Sequence, residues 1–284
     1  MASPAAGDGP HLGSGSELPL AFLVDGDNAS ARFIPAMLAE AGKYGTVEIR
    51  RVYGEWTSPQ LGQWKAVLQE HALLPIQQFS NATGKNATDS ALIIDAMDIL
   101  HGGRIRGFCI VSSDSDFTRL AIRLREAGMF VLGIGRAATP PAFRNSCNVF
   151  ASVENLVPVL VERPPRGGRG GGRRGPEEPA PPGPPERRAE DRTRRAPDEA
   201  VPLLDEAFDQ IVRDDGVGVL AELGNALLKL DPSFDSRTYG RAKLADLLKA
   251  LPDRFTVEIP SKGTSRQVWI RRKGSKPPDE PAPG

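Results

Sequence analysis

LAFLVDGDNAS, residues 20–30, decides the fold: five apolar residues run without a break into Asp25-Gly26-Asp27-Asn28. A short run of this kind, with no polar alternation, is what a strand covered on both faces of a parallel sheet requires. Reading outward, similar runs recur in VEIRRVYG (47–54), LLPIQQF (73–79), GFCIVSSD (107–114) and FVLGIG (130–135). Helix candidates separate them: Arg32–Tyr44, Pro59–His71, Thr88–Leu100 and Asp116–Ala127. In the last, Phe117, Leu120, Ala121, Leu124 and Ala127 fall on one face. The alternation of strand and helix predicts an α/β fold: a parallel sheet with right-handed crossovers and helices on both faces.

In such folds functional groups gather beyond the carboxyl ends of the strands. The first strand ends in Asp25, Asp27 and Asn28, and the fourth in Ser112-Ser113-Asp114-Ser115-Asp116. Asp89 stands in the first turn of the helix before the fourth strand, after Thr83-Gly84-Lys85-Asn86-Ala87-Thr88. Taken singly, each is ordinary capping or turn chemistry. Three such sites along one sheet edge are harder to explain so, because two carboxylates about 4 Å apart repel by about 4 kcal/mol at an effective dielectric near 20. An all-oxygen, acid-rich set without His or Cys suits hard Mg²⁺ or Mn²⁺. Helical geometry favours Asp89 as a ligand, leaves Asp95 as second choice, and turns Asp98 to solvent.

The composition narrows the remaining classes. The 284 residues hold 36 basic and 36 acidic side chains, a balance that taken as a sum disfavours a polyanionic partner. The sum conceals local runs, however: Arg163–Arg174 and Lys262–Lys276 contain no acid at all. Cys109 and Cys147 form no C-x-x-C pair, and three scattered histidines exclude a His-built metal site or triad. Cys109, Trp56 and Trp64 read as core residues. No apolar run approaches membrane-spanning length, no signal peptide opens the chain, and a cytoplasmic protein without membrane association is expected.

Proline and glycine concentrate at 163–200, where large apolar side chains are nearly missing. A segment of that composition cannot offset its ordering entropy. The expected organisation is therefore a disordered 1–17, an α/β domain at 18–162, a disordered Arg/Gly/Pro-rich linker at 163–200, a small domain at 201–276 and a disordered tail at 277–284. The small domain reads as three short helices followed by RFTVEI and RQVWIRR around PSKGTS, a hairpin signal. This is the pattern of a winged helix. Its third helix is expected to start at a Ser236 cap, with Tyr239, Leu244, Leu247, Leu248 and Leu251 on the apolar side.

LVDGDNAS, GKNATDSALIIDAMDIL and FCIVSSDSDFTRLAIRLREAGMFVLGIG together resemble the NYN domain of the PIN-like nuclease superfamily, in its LabA-like (DUF88) branch. The resemblance covers about residues 19–157. It implies a PIN-like parallel sheet flanked by helices and a metal-dependent ribonuclease that hydrolyses RNA phosphodiesters. Asp25, Asp89, Asp114 and Asp116 would then be the catalytic, metal-holding acids, with Asn28 and Asp27 flanking the Mg²⁺ or Mn²⁺. Lys85 would touch a phosphate, and Ser112 or Ser113 would orient a carboxylate or water.

DPSFDSRTYGRAKLADLLKALPDRFTV resembles the OST-HTH/LOTUS domain. That resemblance implies binding of RNA, single-stranded or structured, or of a protein partner. The candidate contacts are Arg237, Arg241 and Lys243 on the third helix, with Lys262, Arg266, Arg271 and Arg272 on the wing. A catalytically silent RNA-binding adaptor is the alternative to a nuclease.

Overall fold

Burial on both faces accounts for the apolar runs. The computed structural model describes residues 18–79, 87–156, 195–213, 216–258 and 267–273, and the chain parts into two compact units after Leu156. The first unit contains β1 (Pro19–Asp25), α1 (Ile34–Ala41), β2 (Thr46–Gly54), α2 (Trp64–Glu70) and β3 (Leu74–Gln77). It continues through α3 (Ala87–His101), β4 (Gly107–Val111), α4 (Thr118–Glu126), β5 (Phe130–Gly135), α5 (Pro141–Ser146), β6 (Val149–Ser152) and α6 (Val153–Leu156). The six strands form one parallel sheet in the order β3-β2-β1-β4-β5-β6. Every residue of β4 is buried, as are six of the seven in β1.

Side chains alternate across the sheet. Ala21 and Leu23 join Leu92 and Ala96 of α3 and Leu120, Ala121 and Leu124 of α4 in one core cluster. Phe22, Val24 and Cys109 are fully buried as well. The chain winds outward from β1 to β3, then returns to lay β4 on the other side of β1. The strand order therefore reverses between β1 and β4, and the carboxyl ends of two such strands are where folds of this kind place their functional groups.

Three of the expected helices begin with a tight 3-10 turn: Ala31–Phe33, Pro59–Gln63 and Ser115–Phe117. Short 3-10 segments at helix starts are common because they shorten the turn out of a strand. β6, preceded by α5, extends the five-strand expectation. Asn148 fixes the entry to this strand: its backbone N donates to the Val131 carbonyl, and its Oδ1 accepts from Val131 N, both at 2.9 Å. Neither a six-residue helix nor a four-residue strand shows a readable period. Both cysteines are buried, and burial pushes the Cys147 thiol up to about 12 and the Cys109 thiol well above its usual value. Thiols held in that form are inert.

The second unit opens with a 3-10 turn at Pro197–Ala200, followed by α7 (Val201–Asp209), β7 (Val217–Val219) and α8 (Leu220–Leu230). A 3-10 turn at Ser236–Tyr239, α9 (Leu244–Lys249), β8 (Phe255–Glu258) and β9 (Trp269–Arg272) complete it. Its antiparallel sheet runs β7-β9-β8 around a helical core that includes Leu204, Phe208, Leu223, Leu247 and Ile270. Residues 195–200, expected in the linker, instead belong to this unit. Arg195 N donates to the Thr238 carbonyl, Glu199 caps Ala196 N, and Ala200 is fully buried.

The expected third helix is also corrected. Asp235, not Ser236, caps the turn by accepting from Arg237 N, and Gly240 takes a left-handed φ of 71°. That conformation ends the turn and favours glycine. α9 starts only at Leu244. The rest of the expected linker, 163–194, the PSKGTS hairpin tip and both terminal segments lie outside the described residues. Among the described residues no helix is long and apolar enough to cross a membrane.

Candidate active site

The reversal of strand order sets Asp25 beside Ser112. Asp25 is the last residue of β1 and is fully buried. Its Oδ2 accepts from Asn28 Nδ2 and from Ser112 Oγ, both at 2.8 Å, and its Oδ1 accepts from Asn28 N at 3.3 Å. Burial pushes the Asp25 carboxyl above the usual range, the bonds from Asn28 and Ser112 oppose that rise, and the charge of Asp27 adds to it. Gly26 is required by space: its N donates to the Tyr53 carbonyl at 2.8 Å, and a Cβ there would lie 2.7 Å from that oxygen. Asp-Gly is therefore more than a turn signal here, since the chain leaving β1 must pass against β2.

Ser112 ties the two strand ends together. While donating to Asp25, its Oγ accepts from Asp114 N at 3.1 Å. Asp114 in turn caps the 3-10 turn, its Oδ1 accepting from Asp116 N at 3.0 Å. Ser113 does not join the acids. Its Oγ accepts from Arg136 N, at the end of β5.

The third contribution comes from the start of α3. Thr88 is buried and its Oγ1 donates to Asp27 Oδ2 at 2.9 Å, which docks the helix against the loop after β1. Asp89 follows directly. Asp89, Asp114 and Asp116 each offer a carboxylate oxygen, and these oxygens lie within 4.8 Å of one another. The Asp89 carboxyl is pushed up to about 6, first by burial and then by the charges of Asp25, Asp114, Asp116 and Asp27. Four neighbouring acids thus act on one carboxylate in the same direction. A hard divalent cation relieves that repulsion, and a set of carboxylate oxygens is the donor chemistry it takes, so the residues present fit Mg²⁺ or Mn²⁺.

Asp25 lies beside this trio rather than within it, its oxygens engaged by Asn28 and Ser112. Asp95, the second choice as ligand, is excluded: its carboxylate accepts from Arg51 and from the Tyr53 hydroxyl on β2. Asp98 is exposed on the outer face of α3, as helical geometry implied. Lys85 lies outside the described residues. Sequence reasoning missed the Thr88–Asp27 link, for which a hydroxyl next to Asp89 was the available signal.

Two domain families match this chain. The chain carries an NYN domain at residues 19–154 and an OST-HTH/LOTUS domain at residues 193–267. NYN domains belong to the PIN-like nuclease superfamily and are generally ribonucleases, and OST-HTH/LOTUS domains bind RNA. The six-stranded parallel sheet flanked by helices agrees with a PIN-like fold. Similar solved structures include a protein of unknown function from Vibrio parahaemolyticus. It is 16% identical, covers 51% of this chain and 98% of its own, and has a TM-score of 0.42. An uncharacterized protein from Nitrosomonas europaea is 34% identical over 34% of this chain and 91% of its own, with a TM-score of 0.26. No curated protein matches the chain.

In the OST-HTH/LOTUS unit the expected contacts divide. Arg237 is not on a helix but in the 3-10 turn, its Nε and Nη2 held by the Asp235 carboxylate at 2.7–2.9 Å. Arg272 is held by Asp209 at 2.7 Å and Asp205 at 3.7 Å, and lies over the Phe208 ring. Both are thus committed to contacts within the unit. Arg241 and Lys243 are exposed in the stretch between Gly240 and α9, and half-buried Arg271 lies on β9. Lys262 and Arg266 lie outside the described residues.

Proposed function

We propose that this protein is a Mg²⁺- or Mn²⁺-dependent ribonuclease of the LabA-like branch, whose second domain recruits RNA to the acidic edge of the first. The observation that carries the proposal is the approach of Asp89, Asp114 and Asp116 within 4.8 Å, beside buried Asp25, where the strand order reverses. A divalent ion held there supplies positive charge at the phosphodiester and acidifies water for in-line hydrolysis. Asp89, Asp114 and Asp116 hold the ion. Asp25, braced by Asn28 and Ser112, keeps the ends of β1 and β4 in register with one another and adds negative charge behind the trio. Asp27 steadies the start of α3 through Thr88, and Lys85 contacts a phosphate.

The domain plan that accompanies this reading places the nuclease at 18–162 and the RNA-binding domain from 195 to 276, joined by an Arg/Gly/Pro-rich tether. A tether raises the local concentration of bound RNA at the cutting site without new contacts there. Arg241, Lys243, Lys262, Arg266 and Arg271 contact RNA, and the same domain is the place for a protein partner. The protein acts in the cytoplasm. Incubation of the purified chain with labelled single-stranded RNA, in Mg²⁺, in Mn²⁺ and in EDTA, tests the activity. Cleavage is expected with either ion and is lost in EDTA and in Asp114→Asn. Binding of RNA with no cleavage by the wild type over several substrates would make the protein a silent adaptor instead.

A further inference from the structure

The acids of this edge suit a cation and repel phosphate, and among the described residues the side chains named there offer no ring face to a base. On the carboxyl side of β2 and β3 stand two aromatic side chains that the core does not absorb. Trp56, expected in the core with Trp64, separates from it: Trp64 is fully buried, whereas Trp56 is only half-buried. The Trp56 ring is nevertheless fixed. Its Nε1 donates to the Ile76 carbonyl and its backbone N to Gln77 Oε1, both at 2.9 Å. It meets the Trp64 ring edge-on, with centroids 6.4 Å apart. Gln77 is held in turn by Glu55, and Glu55 also accepts from Thr57.

Phe79 follows two residues later and remains 59% exposed. The bond from Gln78 N to the Gly54 carbonyl, at 3.2 Å, keeps this chain beside the end of β2 until just before Phe79. Gly54 connects Trp56 to the acids. A Cβ built on it would lie 3.4 Å from Asp27 Oδ1 and 3.8 Å from Trp56 Cε2, so the carboxylate and the indole flank the same small residue. Asp27 is bonded to Thr88, immediately before Asp89.

We propose that Trp56 and Phe79 form a stacking subsite for unpaired bases of the RNA strand whose phosphodiester lies at Asp89, Asp114 and Asp116. The proposal rests on the ribonuclease reading and adds the form of substrate. Stacking on an indole or phenyl face tolerates any base, because every base presents a π-face. It requires a base out of a duplex, so the subsite selects single strands over paired ones. A lone exposed apolar residue is ordinary at a protein surface. Two aromatic residues at adjacent strand ends, one held through its indole Nε1 and its backbone N and lying near Asp27, are a built arrangement.

The test uses the full chain in two arms. In the first, the affinity of Asp114→Asn protein for a short single-stranded RNA is compared with that of the same protein carrying Phe79→Ala, Trp56→Leu or Trp56→Phe. Phe79 is exposed, so its replacement leaves the fold intact even where a Trp56 variant disturbs packing against Trp64. Phe79→Ala and Trp56→Leu are each expected to weaken binding roughly ten-fold, with Trp56→Phe close to the parent, and with duplex RNA unaffected. In the second arm, the same substitutions on the active background raise KM and leave kcat at saturation unchanged. An abasic nucleotide next to the scissile bond raises KM for the wild type and adds little further to Trp56→Leu. Unchanged affinity and unchanged KM in both Phe79→Ala and Trp56→Leu overturn the subsite while leaving the ribonuclease standing. Loss of single-strand affinity in a chain that cuts nothing upholds the subsite and removes the ribonuclease.

Discussion

Asp89 and Asp95 are six residues apart on one helix and have opposite surroundings. Asp95 meets a guanidinium and a phenol: its hydrogen bond pushes the Arg51 group above its usual value, and burial, then the bond to Asp95, pushes the Tyr53 hydroxyl up. Asp89 meets burial and other acids, and is pushed up to about 6 from the ordinary 3.8. In the absence of a divalent ion the folded protein therefore takes up a proton that the unfolded chain has already released. The stability contributed by that proton is fully present below about pH 4 and is lost as the pH rises through 6. Thermal unfolding in EDTA is accordingly expected to give a lower Tm at pH 7 than at pH 5 from this site. Asp89→Asn removes the penalty and raises the Tm at pH 7 in EDTA, while abolishing the gain in Tm on adding Mn²⁺. A Tm in EDTA that Asn lowers at pH 7 would contradict the crowding of charge at this site.

At the scale of elements, the strands and the long helices were legible because burial on two faces leaves a continuous apolar run in β1, β4 and β5. α4 displays its buried side as a stripe. The misreadings fall where an element is too short to show a period, as in α5, β6 and β7, or where a backbone detail overrides the pattern. Gly240 is such a detail: leucines at helical spacing continue past it, yet its left-handed φ breaks the segment before α9. Gly26 is another, and it admits a direct test. Gly26→Ala places a methyl group 2.7 Å from the Tyr53 carbonyl and 2.9 Å from Val52 Cγ1, atoms of the strand paired with β1. A destabilisation of about 1–3 kcal/mol is expected in urea unfolding, with cleavage reduced further because Asp25 and Asp27 flank the shifted residue. An unchanged midpoint would show that the β1–β2 contact yields freely.

At the scale of the whole molecule, a formal charge of zero is a sum over unlike parts. Acids gather at the strand ends of the first unit, and some of the bases that balance them in number are spent inside the second. Arg272 is bound to Asp205 and Asp209, and Arg237 to Asp235, whereas Arg241 and Lys243 stay at the surface. Replacing Arg241 and Lys243 by Ala is expected to weaken RNA binding and to reduce the slope of log K against log salt by about 1.4, roughly 0.7 for each phosphate no longer neutralised. A salt titration of RNA affinity in the cleavage-deficient chain measures this, and an unchanged slope excludes both residues from the phosphates. By itself the sequence determined the alternation of strands and helices, the two-domain plan and the acids at the strand ends, because these follow from local apolar period and from residues adjacent in the chain. Only the tertiary structure decided which acids meet. Asp25 and Ser112 are 87 positions apart, and Asp95 and Arg51 are 44. Such pairings depend on the order in which strands lie side by side, and no local pattern carries that order.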